Sequence, residues 1–90
     1  MRITCDPAKR AKTLEERGLD MRRAAQVFAN KHFTTPDDRA DYGEPRYITI
    51  GEMDGRMVVL VWTPRGTARR IISMRKANVR EQEKYTYYLG

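Results

Sequence analysis

The longest uninterrupted apolar run in the chain, Met57 to Trp62, constrains its architecture more than any other stretch. A strand sends successive side chains to opposite faces, so a run that is apolar at every position has to be covered on both sides. Met57 to Thr63 is therefore the pattern of a central strand. Turn signals flank it: Asp54-Gly55 comes before, and Thr63-Pro64-Arg65-Gly66-Thr67 comes after, with Pro64 suited to the second position of a tight reversal. Upstream, Ile48 and Ile50 alternate with Tyr47 and Thr49; downstream, Arg69 to Ser73 returns as another strand. The pattern predicts a three-stranded antiparallel meander. The apolar run is far shorter than the ~20 residues of a membrane-spanning helix, so no membrane segment is expected.

Helices are expected on both sides of this meander in sequence. After a short strand with Ile3 inward, Asp6 is a good N-cap, Pro7 fits the first helical position and Gly18 supplies a stop. Ala8, Ala11 and Leu14 recur at a spacing of three and predict a narrow packing face, with Lys9, Arg10, Lys12 and Arg17 mostly outside. A second helix follows Asp20, where Met21, Ala24, Ala25 and Phe28 make a core-facing stripe. Arg22 and Arg23 sit in its first turn, where the helix dipole disfavours cations. From Asn30 to Pro45 the periodicity lapses into a long surface connection, with room for a short strand at His32 to Thr35.

Charge narrows the list of partners. Eighteen Lys and Arg face twelve Asp and Glu, a net +6, which favours nucleic acid, an anionic surface or an acidic protein. The connection from Asn30 to Pro45 is acidic, so the cationic field belongs to the packed parts. Cys5 is the only cysteine and His32 the only histidine. No intrachain disulfide is possible, and the pair makes a poor metal-ligand set, so neither a metal nor another cofactor is expected. With no signal peptide visible at the N-terminus, a cytoplasmic protein of one domain spanning residues 1–90 is the expectation.

The stretch from Arg70 to Tyr85 gathers the most chemistry. Simple alternation puts Arg70, Ile72 and Met74 on one side of a strand and Ile71, Ser73 and Arg75 on the other; Lys76 and Arg80 follow. Asn78 with Glu81 three residues later is a capping-box start for a last helix, on which Glu81 and Tyr85 share a face. One acid, one phenol and several cations thus meet at a strand-to-helix corner, which suits a phosphate-rich ligand. Fixed guanidinium groups stabilise charge developing on phosphoryl oxygens. RNA carries its own nucleophile in the 2′-hydroxyl, so its cleavage needs orientation, charge stabilisation and modest acid-base help. Glu81, Glu44 and Tyr85 are the proton-transfer candidates. Glu81 is equally a helix cap, Glu44 a loop charge and Tyr85 a half-buried helix residue.

Several blocks, taken in order, resemble one family. They are Asp6-Pro7-Ala8-Lys9, Arg17-Gly18-Leu19, Ala24-Ala25-Gln26-Val27-Phe28, Gly43-Glu44-Pro45-Arg46, Ile50-Gly51, Thr63-Pro64-Arg65-Gly66 and Arg70-Ile71-Ile72-Ser73-Met74-Arg75-Lys76-Ala77, then Glu81 and Tyr85. The chain is similar to the BrnT family of bacterial toxins. That resemblance implies an α+β, RelE-like fold: two N-terminal helices on a mostly antiparallel sheet, plus a C-terminal helix. It implies a ribonuclease toxin of a type II toxin-antitoxin pair that cleaves mRNA and so inhibits translation and growth. The implied partner is a BrnA-like DNA-binding antitoxin, with operator DNA reached only through that antitoxin and a toxin-antitoxin heterotetramer as the assembly. Departures from the family pattern are Cys5 where tryptophan is usual, Thr13 for asparagine, Glu16-Arg17 for Lys-His, and Arg22 and Arg23 where acids are common.

The expected activity is metal-independent endoribonuclease cleavage by 2′-hydroxyl attack. Its candidate catalytic residues are Arg46, Arg65, Arg70 and Arg75, with Glu44 and Glu81 beside them; Arg70 and Arg75 hold the phosphate and Arg46 and Arg65 flank it. The alternative is a non-catalytic module whose basic face binds an acidic partner or nucleic acid.

Overall fold

The computed structural model describes residues 1–89, which form a mixed five-stranded sheet and three α-helices. In chain order these are β1 (Arg2–Cys5), α1 (Pro7–Arg17), α2 (Ala24–Ala29) preceded by a 3-10 turn over Met21–Arg23, β2 (His32–Pro36), β3 (Tyr47–Met53), β4 (Arg56–Arg65), β5 (Ala68–Lys76) and α3 (Val79–Leu89). The sheet order is β1-β5-β4-β3-β2. The apolar run lies in the middle strand, as its two-sided pattern requires, and β3-β4-β5 is the antiparallel meander. Beyond it, β1 adds in parallel to β5 and β2 adds antiparallel to β3. No helix is long and apolar enough to cross a membrane.

Caps and turns follow local chemistry. The Asp6 carboxylate accepts the Ala8 amide at 2.8 Å, and Gly18 ends α1 at φ +67°, donating its amide to the Leu14 carbonyl. Asp54 and Gly55 both take positive φ, the signature of a type I′ hairpin, whose twist suits β3 and β4. The second reversal falls later than the proline suggested. Pro64 pairs with Arg69 inside the ladder, and the chain turns at Gly66-Thr67, with Gly66 at φ +58° as the first central residue of a two-residue hairpin demands.

One face of the sheet carries the main core. Val58, Leu60 and Trp62 of β4 meet Met53, Ile71, Met74 and Ile3 of neighbouring strands, and the helical layer adds Leu19, Met21, Ala24, Val27 and Phe28. The stripe on the second helical segment is thus core. The packing face expected on α1 is not: Ala8 and Ala11 are exposed, Leu14 is 47% exposed, and Thr13 is the residue buried against the protein. Polar ties do much of the work there. Arg10 forks onto Asp20 at 2.8 and 3.0 Å, and Arg17 donates to the Met74 carbonyl at 2.7 Å. Arg23, unfavourable at a helix start, is accounted for by a forked ion pair with Asp54 at the hairpin tip.

A bulge in β5 corrects the simple alternation. Val61 pairs with Ser73 and Trp62 with Ile71, so Ile72 is skipped. Ile71 and Met74, three apart, consequently both enter the main core, whereas strict alternation separates them. On the second face Ile50, Val59 and Ala77 form a smaller cluster with Ile48, Met57 and Tyr85. Helix α3 covers only one end of this face. A groove remains beside it.

Candidate active site

The groove, about 240 Å³ in volume, has a floor of Ile48, Ile50, Val59 and Val61, all from the second face of β3 and β4. Phe33 and Thr35 of β2 form one wall, and Ser73, Arg75, Glu81 and Tyr85 form the other. Arg39 reaches it from the loop between β2 and β3. Two guanidiniums, a carboxylate and a phenol therefore stand on an apolar floor.

Each groove arginine is held by an acid. Asn78 and Glu81 make the reciprocal capping box: the Glu81 amide donates to Asn78 Oδ1 at 2.8 Å and the Asn78 amide to Glu81 Oε1 at 2.9 Å. The same carboxylate takes two bonds from Arg75, at 2.7 and 2.8 Å. The Arg75 hydrogen bond holds the Glu81 pKa down at about 2, with the Asn78 amide helping, and the Arg75 pKa is raised in turn. Glu81 is thus a fixed anion with both oxygens engaged. Arg39 forks onto Asp37 at 2.7 and 2.8 Å, which pulls the carboxyl to about 2 and raises the guanidinium. The positive charge of Arg39 also opposes that of Arg75, so the two sit within electrostatic reach of each other.

The remaining expected residues form a second group. Glu44 accepts from Arg46 at 3.2 Å and from Arg65 at 3.0 Å. The Arg46 guanidinium lies 4.0 Å from the centre of the Tyr42 ring, and Thr63 anchors this loop by donating to the Pro45 carbonyl at 2.6 Å. Arg70 pairs in register with Thr63, and Arg75 with Val59, so the two arginines stand four rungs apart on β4, roughly 13 Å at strand rise. Arg65 stands two rungs beyond Arg70. The six residues are therefore spread along one sheet face as a track. Glu44, Arg46 and Arg65 meet at one end, Arg75 and Glu81 at the other, and Arg70, which has no ion pair among the described residues, lies between them.

Sequence reasoning did not single out Arg39, Phe33 or Thr35 for the site. Arg39 stands among Asp37, Asp38 and Asp41, and its only signal was the Asp-x-Arg spacing that permits a fork. Arg17 is spent on the Met74 carbonyl from the helical layer, on the far side of the sheet from the groove. A larger cavity, about 490 Å³, lies under the loop, where Asp37, Asp38, Asp41 and Glu44 outnumber the one lining cation, Arg46, a balance less suited to a polyanion. Among the described residues no cluster of three or more His, Cys, Asp or Glu side chains is placed to hold a metal ion.

A small basic α+β protein with an arginine-lined groove on one sheet face has the chemistry to suit a phosphate-bearing ligand. The chain's sequence matches the family of ribonuclease toxins, BrnT, of type II toxin-antitoxin systems over residues 5–81. It belongs to that family: it is a ribonuclease toxin, its substrate class is RNA, and a cognate antitoxin is its partner. No curated protein matches it. The family match favours the ribonuclease over the purely binding module.

Proposed function

We propose that the groove is the ribonuclease site and that cleavage is metal-independent, proceeding by attack of the RNA 2′-hydroxyl on the adjacent phosphorus. The bond from phosphorus to the 5′-oxygen breaks, leaving a 2′,3′-cyclic phosphate and a 5′-hydroxyl. The proton of the attacking hydroxyl leaves as the 5′-oxygen gains one. The observation that carries this reading is the Arg75 guanidinium, held by a two-point grip from Glu81 in the wall of a groove that also holds Arg39.

The donors that Glu81 leaves free stabilise the charge building on the phosphoryl oxygens. Glu81 orients Arg75, because a carboxylate held at about 2 is a weak proton acceptor. Tyr85, in the groove wall, is the proton-transfer candidate. Arg70, Arg46 and Arg65, with Glu44 aligning the last two, lead the RNA chain along the sheet. The one-sided helical layer and the terminal helix fit a RelE-like fold in a single domain. The partner fits a BrnA-like antitoxin in a two-to-two complex that reaches operator DNA only through the antitoxin, and the cytoplasm is the compartment.

The test is incubation of antitoxin-free protein with a defined RNA in EDTA, followed by analysis of product ends. Fragments ending in 2′,3′-cyclic phosphate are expected, and Arg75→Ala is expected to abolish most of them. Cleavage that requires an added metal, or that survives Arg75→Ala unchanged, overturns the reading.

A further inference from the structure

Helix α3 and edge strand β2 meet through open aromatic rings. Phe33 of β2 lies 5.7 Å from the Tyr85 ring and 6.0 Å from the Tyr88 ring, with planes tilted by 42° and 33°. Phe33 is 40% exposed and Tyr88 61% exposed. Large rings left this open contribute little to the core, and they are contiguous. Phe33 and Tyr85 also line the groove that holds Arg39 and Arg75, so rings and guanidiniums share one surface. Lys84 adds a cation at its rim, with Nζ 5.3 Å from the centre of the Tyr85 ring.

We infer that Phe33 and Tyr88 form a stacking platform for an unpaired nucleobase of the RNA whose phosphate is held at Arg39 and Arg75, so that the groove selects single-stranded RNA. The inference rests on the groove being the RNA site. Every base offers a flat π face to an aromatic ring, and a duplex keeps those faces inside its own stack. A platform beside a phosphate clamp therefore demands a strand whose bases are free. The cations and rings together fit this occupant: the guanidiniums answer the phosphates, and the rings answer a planar group on the same nucleotide chain. The exposed Ala8-Ala11-Leu14 face of α1 lacks that pairing with the groove.

The test compares two non-cleavable probes at low salt: a mixed-sequence 2′-O-methyl RNA hexamer and the same hexamer with abasic sugars. Phe33→Leu and Tyr88→Leu are each expected to weaken the complete hexamer by about tenfold, the scale of one lost base stack, and to leave the abasic one unchanged. Phe33→Tyr keeps the affinity, and Arg75→Ala weakens both probes. Equal effects of the ring changes on both probes, or none on either, overturn the platform alone. If Arg75→Ala is also silent, the groove is not the RNA site and the proposed function fails with it. Ring variants that lose the antitoxin while keeping the RNA assign the patch to a protein interface and overturn the inference.

Discussion

Glu81 holds Arg75 with both carboxylate oxygens, and one of those oxygens also accepts the Asn78 amide that opens α3. A single side chain thus closes a helix end and aims a groove arginine. The two roles separate by mutation. Asn78→Ala removes the cap and is expected to cost about 1 kcal/mol of stability while the folded protein still cleaves. Glu81→Gln retains an acceptor but loses the charged fork, so cleavage falls by about tenfold, the rate equivalent of one weakened charged hydrogen bond. Melting curves and RNA cleavage rates on both variants check this division.

Arg75 itself carries the larger effect. Arg75→Ala is expected to lower the cleavage rate by ~10²-fold or more, as for loss of one oxyanion-stabilising donor. Arg75→Lys recovers little of it, because an ammonium is a point charge that cannot fill the Glu81 fork and face a phosphate together. Single-turnover rates with saturating protein measure both.

The buried polar chain under the sheet gives a stability prediction. The Trp62 indole N–H donates to Thr49 Oγ1 at 2.8 Å, and Thr49 also bonds Thr34 at 2.8 Å. Thr49 is fully buried. Thr49→Val keeps the shape but leaves the indole N–H without an acceptor, at a cost of about 1–3 kcal/mol. Denaturant titration reads it.

Gly51 is required for space. A Cβ there meets Val27 Cγ1 at 2.8 Å, His32 Cβ at 3.1 Å and the Lys31 carbonyl oxygen at 3.3 Å, one of them backbone. Gly51→Ala is therefore expected to destabilise by about 1–3 kcal/mol by pushing α2 and the start of β2 from β3. The drop appears in the same titration.

Acid should unfold the protein in one window. Asp20, Asp37 and Glu81 are each held to about 2 by a guanidinium hydrogen bond, from Arg10, Arg39 and Arg75 in turn. Unfolding returns them to ordinary carboxylate values near 4, so the unfolded chain binds protons first as pH falls. Their stabilisation is complete above about pH 5 and is lost between about 4.5 and 2. The melting temperature is expected to stay level from about pH 7 to 5 and then fall, less steeply in Glu81→Gln.

Where one local rule acted alone, the sequence was legible. The Asp6 and Asp20 caps, the Gly18 stop, the Asp54-Gly55 turn, the Asn78 and Glu81 box and the central strand all follow from nearest-neighbour chemistry or two-residue periodicity. The α1 face misled because Ala8, Ala11 and Leu14 have helical spacing, yet the helix is tied down through Arg10, Thr13 and Arg17. Pro64 misled because an edge of the ladder near a turn tolerates a residue without an amide hydrogen. The site was half legible. Arg75 and Glu81 announced themselves through the capping box, whereas Arg39 and Phe33 reach the groove only because β2 docks on β3, a long-range pairing that no local pattern encodes.

The skipped residue in β5 acts as a phase shifter between core and groove. Ile71 and Met74 point inward on either side of it, while Ser73 and Arg75 face the groove. Were Ile72 to take a rung of the ladder instead of being skipped, the following half-strand would turn over, sending Arg75 toward the helical layer and Met74 into the groove. The core and the proposed site thus share one reading frame along this strand, set by a single unpaired residue.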